Sequence, residues 1–150
     1  MQSRLGVQRV HENGAENGTG ELHYVGTTTD GSMEHWSLKD SWTRLAGFGQ
    51  GTTSAPCLIE GSYGMGDESG IGNFELVVTV GEHIEHWWRH NASQGPWIRS
   101  AVFGAEARRV VGLLQSSFGT NLELIVEQTD GRYRHYWRDG AGWHAGVVVA

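Results

Sequence analysis

Residues 73–89 read NFELVVTVGEHIEHWWR, and this stretch contains two runs of alternating side chains on either side of a glycine. A period of two places alternate side chains on opposite faces of a β-strand, whereas a helix repeats every three or four residues. The residues that share a face are Phe74, Leu76 and Val78 in the first run, and Ile84, His86 and Trp88 in the second. The stretch therefore predicts a β-hairpin that turns at Val80-Gly81.

The same pattern occurs three times along the chain. His35, His86 and His135 are 51 and 49 residues apart, within Glu34-His35-Trp36, Glu85-His86-Trp87 and Arg134-His135-Tyr136. Three other strings recur in a fixed order around these histidines. Two precede each histidine: the first lies at 7–10, 57–60 and 112–115, and the second at 21–25, 73–78 and 121–126. The third follows it and begins at Trp42, Trp97 and Trp143, with Phe48, Phe103 and Val149 six positions later. This order predicts three units in one domain of residues 1–150, at about 5–49, 55–104 and 108–150.

Each unit is expected to be a four-stranded antiparallel meander. Asp30-Gly31, Val80-Gly81 and Asp130-Gly131 join the second and third strings, and Asp-Gly between alternating runs is a strong hairpin signal. One such sheet cannot bury both faces in water, so the units should stack. Radial stacking of four-stranded sheets gives a β-propeller, which usually has about 4 to 8 blades. We therefore expect an all-β fold of three propeller blades, closed by oligomerisation or as part of a longer chain.

A three-blade array leaves an open blade face at each end. The alternation predicts that Leu22 and Tyr24 are exposed at one end and that Leu122, Leu124 and Trp137 are exposed at the other. Burial of apolar surface favours self-association, and two copies related by a twofold axis would close a six-bladed ring. The expected state is therefore a dimer.

Composition argues against several functional classes. The net charge is -6 with 11 Lys and Arg residues, so nucleic acid is not an expected partner. Cys57 is the single cysteine, which excludes an internal disulfide and a CxxC metal site. No phosphate loop or nucleophile motif is present, and no cofactor is predicted. The sequence shows neither a signal peptide nor an apolar run of membrane-spanning length, and it leaves the compartment open.

The second unit resembles a known repeat. Residues 72–78, followed by Ile84-Glu85-His86-Trp87-Trp88-Arg89, Trp97 and Phe103-Gly104, are similar to the repeat of bacterial seven-bladed propeller lectins of the Photorhabdus lectin type. The resemblance spans nearly the whole chain, although Ser37 replaces the third-strand tryptophan in the first unit. It implies a carbohydrate-binding propeller with pockets between neighbouring blades, and fucose or O-methylated sugars as ligands.

Aromatic and imidazole side chains are the candidate sugar-binding groups. A pyranose packs its C–H bonds on an aromatic ring, while its hydroxyls need fixed donors and acceptors. By the resemblance, the expected carbohydrate-binding residues are His86, Trp88, Trp97, His135, Trp137 and Trp143. The alternative is that these residues recur because they form the core between blades, with each histidine hydrogen-bonded to a backbone group.

Metal binding and catalysis are not predicted. His83, His86 and His90 lie within eight residues, but a strand places His83 and His86 on opposite faces. Glu34 and Glu85 are repeat-equivalent and therefore do not form a unique carboxylate pair for glycoside hydrolysis. We expect no enzymatic activity.

The sequence thus predicts a multivalent lectin-like module in which weak sites gain avidity through repetition. The competing interpretation is a non-catalytic scaffold, or a propeller repeat of a larger protein, whose face binds another protein. A protein partner that still binds after Trp88→Ala and Trp137→Ala would favour the scaffold.

Overall fold

A computed structural model describes residues 5–9, 21–63, 72–117 and 119–149, and the regular elements in these ranges are all β-strands. They form three four-stranded antiparallel sheets, each in sequential strand order. The first sheet contains β1 (Leu5–Arg9), β2 (Leu22–Thr27), β3 (Met33–Leu38) and β4 (Trp42–Phe48). The second contains β5 (Cys57–Glu60), β6 (Phe74–Val80), β7 (His83–Arg89) and β8 (Trp97–Phe103). The third contains β9 (Ala107–Gln115), β10 (Leu122–Gln128), β11 (Tyr133–Asp139) and β12 (Gly142–Val148).

The prediction of an all-β chain with three antiparallel sheets is confirmed. Within the described ranges, no helix is long and apolar enough to cross a membrane. The sequence also predicts a glycine turn after the first string of the first and second units, at Gly14 and Gly64, and these two positions lie outside the described residues.

Glycines at the hairpin turns adopt a left-handed backbone. Gly31, Gly81 and Gly131 have φ angles of 84°, 62° and 84°, which glycine reaches without steric cost. Asp30 Oδ1 accepts a hydrogen bond from the Ser32 backbone N–H at 3.1 Å, and the equivalent bond recurs in the third sheet. The Asp-Gly signal therefore acts through both residues, because the aspartate closes the turn that the glycine permits.

The first strand of the third sheet is longer than predicted. β9 begins at Ala107, five residues before the predicted string at 112–115, and pairs with β10 across two register shifts. Arg108 and Arg109 are adjacent and both exposed, while Ala107 and Val110 are buried. These two consecutive exposed residues break the alternation, which is why the pattern alone does not predict the start of this strand.

Neighbouring sheets stack face to face, and the alternation decides which residues meet. Leu76 of β6 packs toward the first sheet, against Val25 and Met33. Val77, on the opposite face of β6, packs toward the third sheet in a cluster with Leu124. Full burial of a side chain of this size contributes about 1.5–3 kcal/mol. The first strands β1, β5 and β9 contact one another in turn, which sets the three sheets side by side along one edge.

The open face of the third sheet differs from the expectation. Leu122 and Leu124 are fully buried, on the face of β10 that packs toward the second sheet. The open face carries Glu123, Ile125 and Trp137, each only partly buried. The expected exposure of Leu122 and Leu124 is wrong because a period of two shows which residues share a face, but not which face a neighbouring sheet covers.

A hydrogen bond from a tryptophan to a histidine joins each pair of neighbouring sheets. Trp97 Nε1 donates to His35 Nδ1 at 3.1 Å between the first and second sheets. Trp143 Nε1 donates to His86 Nδ1 at 3.2 Å between the second and third sheets. The two rings of each pair are nearly perpendicular, at 79° and 80°. His35 and His86 are both buried, so these bonds form away from water.

The tryptophan determines the tautomer of each histidine. An indole nitrogen can only donate, so His86 Nδ1 accepts and the ring proton is assigned to Nε2, which donates to Glu75 Oε2 at 2.8 Å. In the first sheet, His35 Nε2 donates to His23 Nδ1 at 2.8 Å, and His23 Nε2 donates to Glu21 Oε2 at 3.2 Å. Both chains of hydrogen bonds therefore end on a carboxylate.

Protonation of His35 would place a second donor against the Trp97 indole N–H. Burial lowers the pKa of His35 to about 3, and the charge of Arg89 and any proton on His23 act in the same direction. Burial also lowers the pKa of His23, against the raising effect of Glu21. The histidine pair between the first and second sheets is thus held in its neutral form.

We expect Gly104→Ala to lower the free energy of unfolding by about 1–3 kcal/mol. Gly104 has a φ of 78°, and a Cβ there would lie 2.8 Å from Ile84 Cδ1 and 3.2 Å from the Tyr136 hydroxyl. Gly140→Ala is the matched control, because no atom lies within 4 Å of its Cβ position. Urea denaturation should show a change below about 0.5 kcal/mol for the control. Equal losses in both variants would contradict this account of the packing between the sheets.

We also expect stability to fall as the pH drops below about 6.5. The folded-state pKa of His35 is about 3, below its ordinary value of 6.5, so the unfolded chain binds this proton more readily. The contribution of His35 is complete above the ordinary pKa and is lost as the pH falls toward the folded one. Urea denaturation across this range measures the slope, to which one such group contributes at most about 1.4 kcal/mol per pH unit.

Two histidine-to-glutamine variants separate His35 from the other histidines. His35→Gln should make the slope shallower, because it removes the group that must stay neutral. His83→Gln changes an exposed histidine and should keep the slope of the unmodified protein. The explanation fails if the two variants show the same slope.

Candidate functional site

A cleft with a volume of about 420 Å³ lies between the second and third sheets. The end of β8 and the turn after it form one wall, and β11 and β12 form the other. The lining combines aromatic side chains with polar ones, namely Phe103, Tyr136 and Trp143 with Glu106, Gln128 and Arg134. Its volume is within the range of small-molecule sites, about 300–1,000 Å³.

The aromatic wall is held rigidly by its own packing. Phe103 stacks on Trp143 with ring centroids 4.4 Å apart and an angle of 11° between the planes. Phe103 also contacts the edge of Tyr136, at 5.5 Å and 70°. Behind the cleft, the indole N–H of Trp143 is bonded to His86. The Trp143 ring is therefore oriented before any ligand arrives.

Arg134 brings hydrogen-bond donors to the same cleft. Its Nε donates to Gln128 Oε1 at 2.8 Å, and its Nη1 donates to the Gly146 carbonyl at 2.8 Å. These bonds use two of the five N–H donors of the guanidinium group. They hold the charged head in a defined position beside the aromatic wall.

A second polar pair lies on the other side of β12. His144 follows Trp143 in the strand, so its ring lies on the opposite face of the third sheet, where His144 Nε2 is 2.9 Å from Asp139 Oδ1. The hydrogen bonds from His144 and from the Ala141 backbone N–H hold the pKa of Asp139 below its usual range. Asp139 therefore stays ionised and orients the His144 ring.

The aromatic arrangement recurs between the first and second sheets with different polar groups. Phe48 stacks on Trp97 at 4.8 Å and 9°, and contacts the edge of Trp87 at 5.1 Å and 62°. Here Glu85 takes the position that Arg134 has in the third sheet. Glu85 accepts hydrogen bonds from Trp87 Nε1 at 2.9 Å and from Arg99 Nη1 at 3.4 Å.

A third feature is a polar cleft with a volume of about 550 Å³, also between the second and third sheets. Thr53, Ser54 and Ala55 lie on one side, and β9 and Glu127 on the other. Arg109 is ion-paired with Glu127 there. None of the described residues that line this cleft is aromatic, so they do not provide the surface that packs against a sugar ring.

The structure divides the six predicted sugar-binding residues among different environments. His86 is 1% exposed and has both ring nitrogens engaged, and Trp97 is 8% exposed in the core between the first two sheets. Trp143 lines the cleft, whereas Trp88 is half-buried on β7. The carbohydrate-binding role of these residues stays a prediction.

The remaining two candidates lie on the open face of the third sheet. His135 and Trp137 stack with centroids 5.8 Å apart, and Trp137 stacks in turn on His144 at 5.1 Å. His135 Nε2 lies 2.6 Å from Glu123 Oε2, as in the buried pair of the second sheet. The structure thus brings His135 and Trp137 together and His86 and Trp143 together, but does not unite the six at one site.

The histidines at 83, 86 and 90 do not converge. His83 Nδ1 lies 2.9 Å from the Gly104 carbonyl, and His90 Nδ1 lies 2.8 Å from the Ser93 hydroxyl. No group of three or more possible metal ligands occurs among the residues that the structure describes.

The sequence did not predict Phe103, Arg134 and Gln128 of the cleft as site residues. Phe103 is visible as the aromatic position six residues after Trp97, and Arg134 as the residue that breaks the Glu-His-aromatic pattern. No pattern in the sequence indicates Gln128, because it meets Arg134 only in the folded sheet.

No protein-family model and no curated protein sequence matches the chain. Solved structures with a similar fold include the Aleuria aurantia lectin, in complexes with α-methyl-L-fucoside and with Fucα1-6GlcNAc. These two structures give TM-scores of 0.72 and 0.73, both at 17% sequence identity. A triple arginine-to-alanine mutant of AofleA from Arthrobotrys oligospora gives a TM-score of 0.69 at 16% identity.

This chain spans less than half the length of these proteins. The alignments cover 97%, 99% and 99% of this chain, but only 46%, 48% and 42% of the matched chains. At such identities the likeness concerns the fold alone. The chain is similar in fold to β-propeller lectins, and the likeness does not single out the Photorhabdus lectin type that the sequence resembles.

Proposed function

We propose that this chain is a non-enzymatic, lectin-like carbohydrate-binding module, in which the three sheets are β-propeller blades and sugars bind between neighbouring blades. The observation that carries the proposal is the cleft where Trp143 and Phe103 stand beside Arg134. The fold likeness to a lectin that holds a fucoside supports it. The blades that complete the proposed propeller ring come from a second copy or from additional repeats.

The cleft offers the two kinds of contact that a monosaccharide needs. A sugar packs a patch of C–H bonds on an aromatic ring, and Trp143 presents such a ring in a fixed orientation. Sugar hydroxyl oxygens accept hydrogen bonds, and Arg134 provides oriented donors next to the ring. A pre-organised site loses less entropy when a ligand binds.

The ligand class follows from the balance of these groups. The aromatic surface suits a sugar with an apolar substituent, such as the methyl group of fucose or an O-methyl group. A neutral sugar also avoids placing a carboxylate beside Glu106, which shares the lining. We therefore favour fucosides and O-methylated sugars over acidic sugars.

The arrangement between the first and second sheets is the second proposed site. It keeps the stacked aromatic pair, but presents the Glu85–Arg99 ion pair where the other cleft presents Arg134. The two sites should therefore differ in affinity for the same sugar. Weak sites on one assembly still bind a multivalent glycan surface strongly, through avidity.

Of the predicted residues, Trp143 is assigned to direct contact in this proposal. His86 is assigned as a positioning residue that holds Trp143 from behind, and Trp97 takes the corresponding place at the other junction. Trp88, His135 and Trp137 are kept as candidate contacts at blade faces.

Ion pairing of the repeat-equivalent acids supports a non-catalytic role. Glu34 Oε2 lies 2.8 Å from Arg44 Nε, and Glu85 Oε2 lies 3.4 Å from Arg99 Nη1. A glycosidase needs one carboxylic acid that keeps its proton and a second carboxylate nearby. Each of these acids is instead paired with an arginine of its own sheet.

We expect the protein to bind α-methyl-L-fucoside or an O-methylated sugar on a glycan array and in calorimetry. Arg134→Ala should weaken binding at its cleft about 10- to 150-fold, because a hydrogen bond from a charged donor contributes about 1.5–3 kcal/mol. Arg132→Ala is the control, since Arg132 is exposed and paired with Asp130 outside the cleft. A folded protein that binds no sugar on the array would overturn the proposed function.

The second site can be tested separately. Glu85→Gln should weaken sugar binding at the junction of the first two sheets, because it loses the ion pair with Arg99, and should leave the Arg134 cleft unchanged. Combining Glu85→Gln with Arg134→Ala should therefore weaken both classes of site in calorimetry. A single class of site, lost entirely in Arg134→Ala, would contradict the second site.

A further inference from the structure

We propose that two copies of this chain close one ring, and that Trp42 of each copy donates its indole N–H to His135 Nδ1 of the other. The contact would repeat, between copies, the hydrogen bond that joins the sheets within one copy. The open face of the first sheet in one copy would thus cover the open face of the third sheet in the other.

The internal junctions define what a complete contact looks like. The tryptophan at the start of the fourth strand reaches the histidine of the preceding sheet, as Trp97 reaches His35 and Trp143 reaches His86. The other nitrogen of each histidine is bonded within its own sheet. Both junctions obey this rule although their surrounding residues differ.

In the third sheet, the equivalent histidine is His135, and no neighbouring sheet of the described chain covers it. His135 Nε2 is bonded to Glu123, as His86 Nε2 is bonded to Glu75. The side chains of His86 and Glu75 are 2% and 5% exposed, whereas those of His135 and Glu123 are 33% and 27% exposed. In the described part of the chain, no indole N–H reaches His135 Nδ1.

In the first sheet, the equivalent tryptophan is Trp42, and no histidine of a preceding sheet in the described chain accepts its N–H. Trp42 pairs with Leu38 in the register in which Trp97 pairs with Arg89, and Trp143 with Arg138. Trp42 is nevertheless 46% exposed, while Trp97 is 8% exposed. Trp42 contacts the edge of Tyr24 at 4.9 Å, which directs it onto the open face of the first sheet.

At each internal junction a phenylalanine stacks on the tryptophan, and the open faces lack this stacking. Phe48 stacks on Trp97 and Phe103 stacks on Trp143, each from the end of the preceding fourth strand. Val149 holds this position in the third sheet and is 55% exposed. A Trp42 ring from a second copy would pack on Val149 with less contact area than on phenylalanine.

Closure by two copies fits the geometry of the fold. The two end faces differ, so a single head-to-tail junction would leave two faces open, whereas two junctions related by a twofold axis cover all four. This chain aligns along 97% to 99% of its length with 46% to 48% of the Aleuria aurantia lectin. Two copies therefore correspond to about the length of one such lectin.

The first test is the mass of the protein in solution. Sedimentation equilibrium at micromolar concentration should give twice the chain mass of 16.5 kDa. Trp42→Ala should raise the dimer dissociation constant about 100-fold or more, because each ring contains the altered contact twice. Ile98→Ala removes an exposed apolar side chain of the middle sheet and should leave the dissociation constant unchanged. A monomeric unmodified chain, or a Trp42→Ala variant with unchanged affinity, would overturn the proposal.

The second test asks whether the contact is head-to-tail. Trp42→Ala and His135→Ala each damage both junctions of their own dimer. A mixed pair has one junction with both residues intact, so mixing the two variants should yield more dimer than either variant alone. Circular dichroism establishes that each variant is folded before mixing. Absence of any gain on mixing folded variants would disprove the Trp42–His135 contact.

Discussion

The buried hydrogen bond from tryptophan to histidine is the constraint on which the rest of this structure depends. A buried imidazole has two nitrogens to satisfy, and leaving either without a partner costs about 1–3 kcal/mol. Here one nitrogen is satisfied within the sheet, by Glu75 or His23, and the other by the next sheet, through Trp143 or Trp97. The bond therefore sets the position of one sheet relative to the next, which apolar packing alone would leave less defined.

The same constraint prepares the candidate site. Trp143 uses its indole N–H behind the cleft and its ring within it, so the group that holds the sheets together is also a wall of the pocket. His86 fixes the ring from one side and Phe103 from the other. Under the proposed function, Trp143 therefore has both a structural role and a binding role.

Differences among the three sheets are concentrated in the polar groups around this frame. Glu85 of the second sheet is replaced by Arg134 in the third, which turns an acceptor into a donor at the same place beside the aromatic wall. His23 takes the place of Glu75 in the first sheet and extends the chain of hydrogen bonds by one imidazole. The apolar pattern gives each sheet the same shape, and the substitutions give each junction its own chemistry.

The strands, their hairpins and the residues that share a face can be predicted from the amino-acid pattern, because they depend on neighbours a few residues apart. The period of two places Leu76 and Val77 on opposite faces, and Asp30-Gly31 produces its turn wherever the sheet lies. The pattern does not show which faces are covered or what the recurring histidines bind, because both depend on how the sheets stack. The Trp143–His86 bond joins residues 57 positions apart, and its existence depends on how two sheets stack. For the same reason the sequence indicated His86 as a candidate sugar contact, while the structure places it behind the cleft and brings Arg134 and Gln128 to the front.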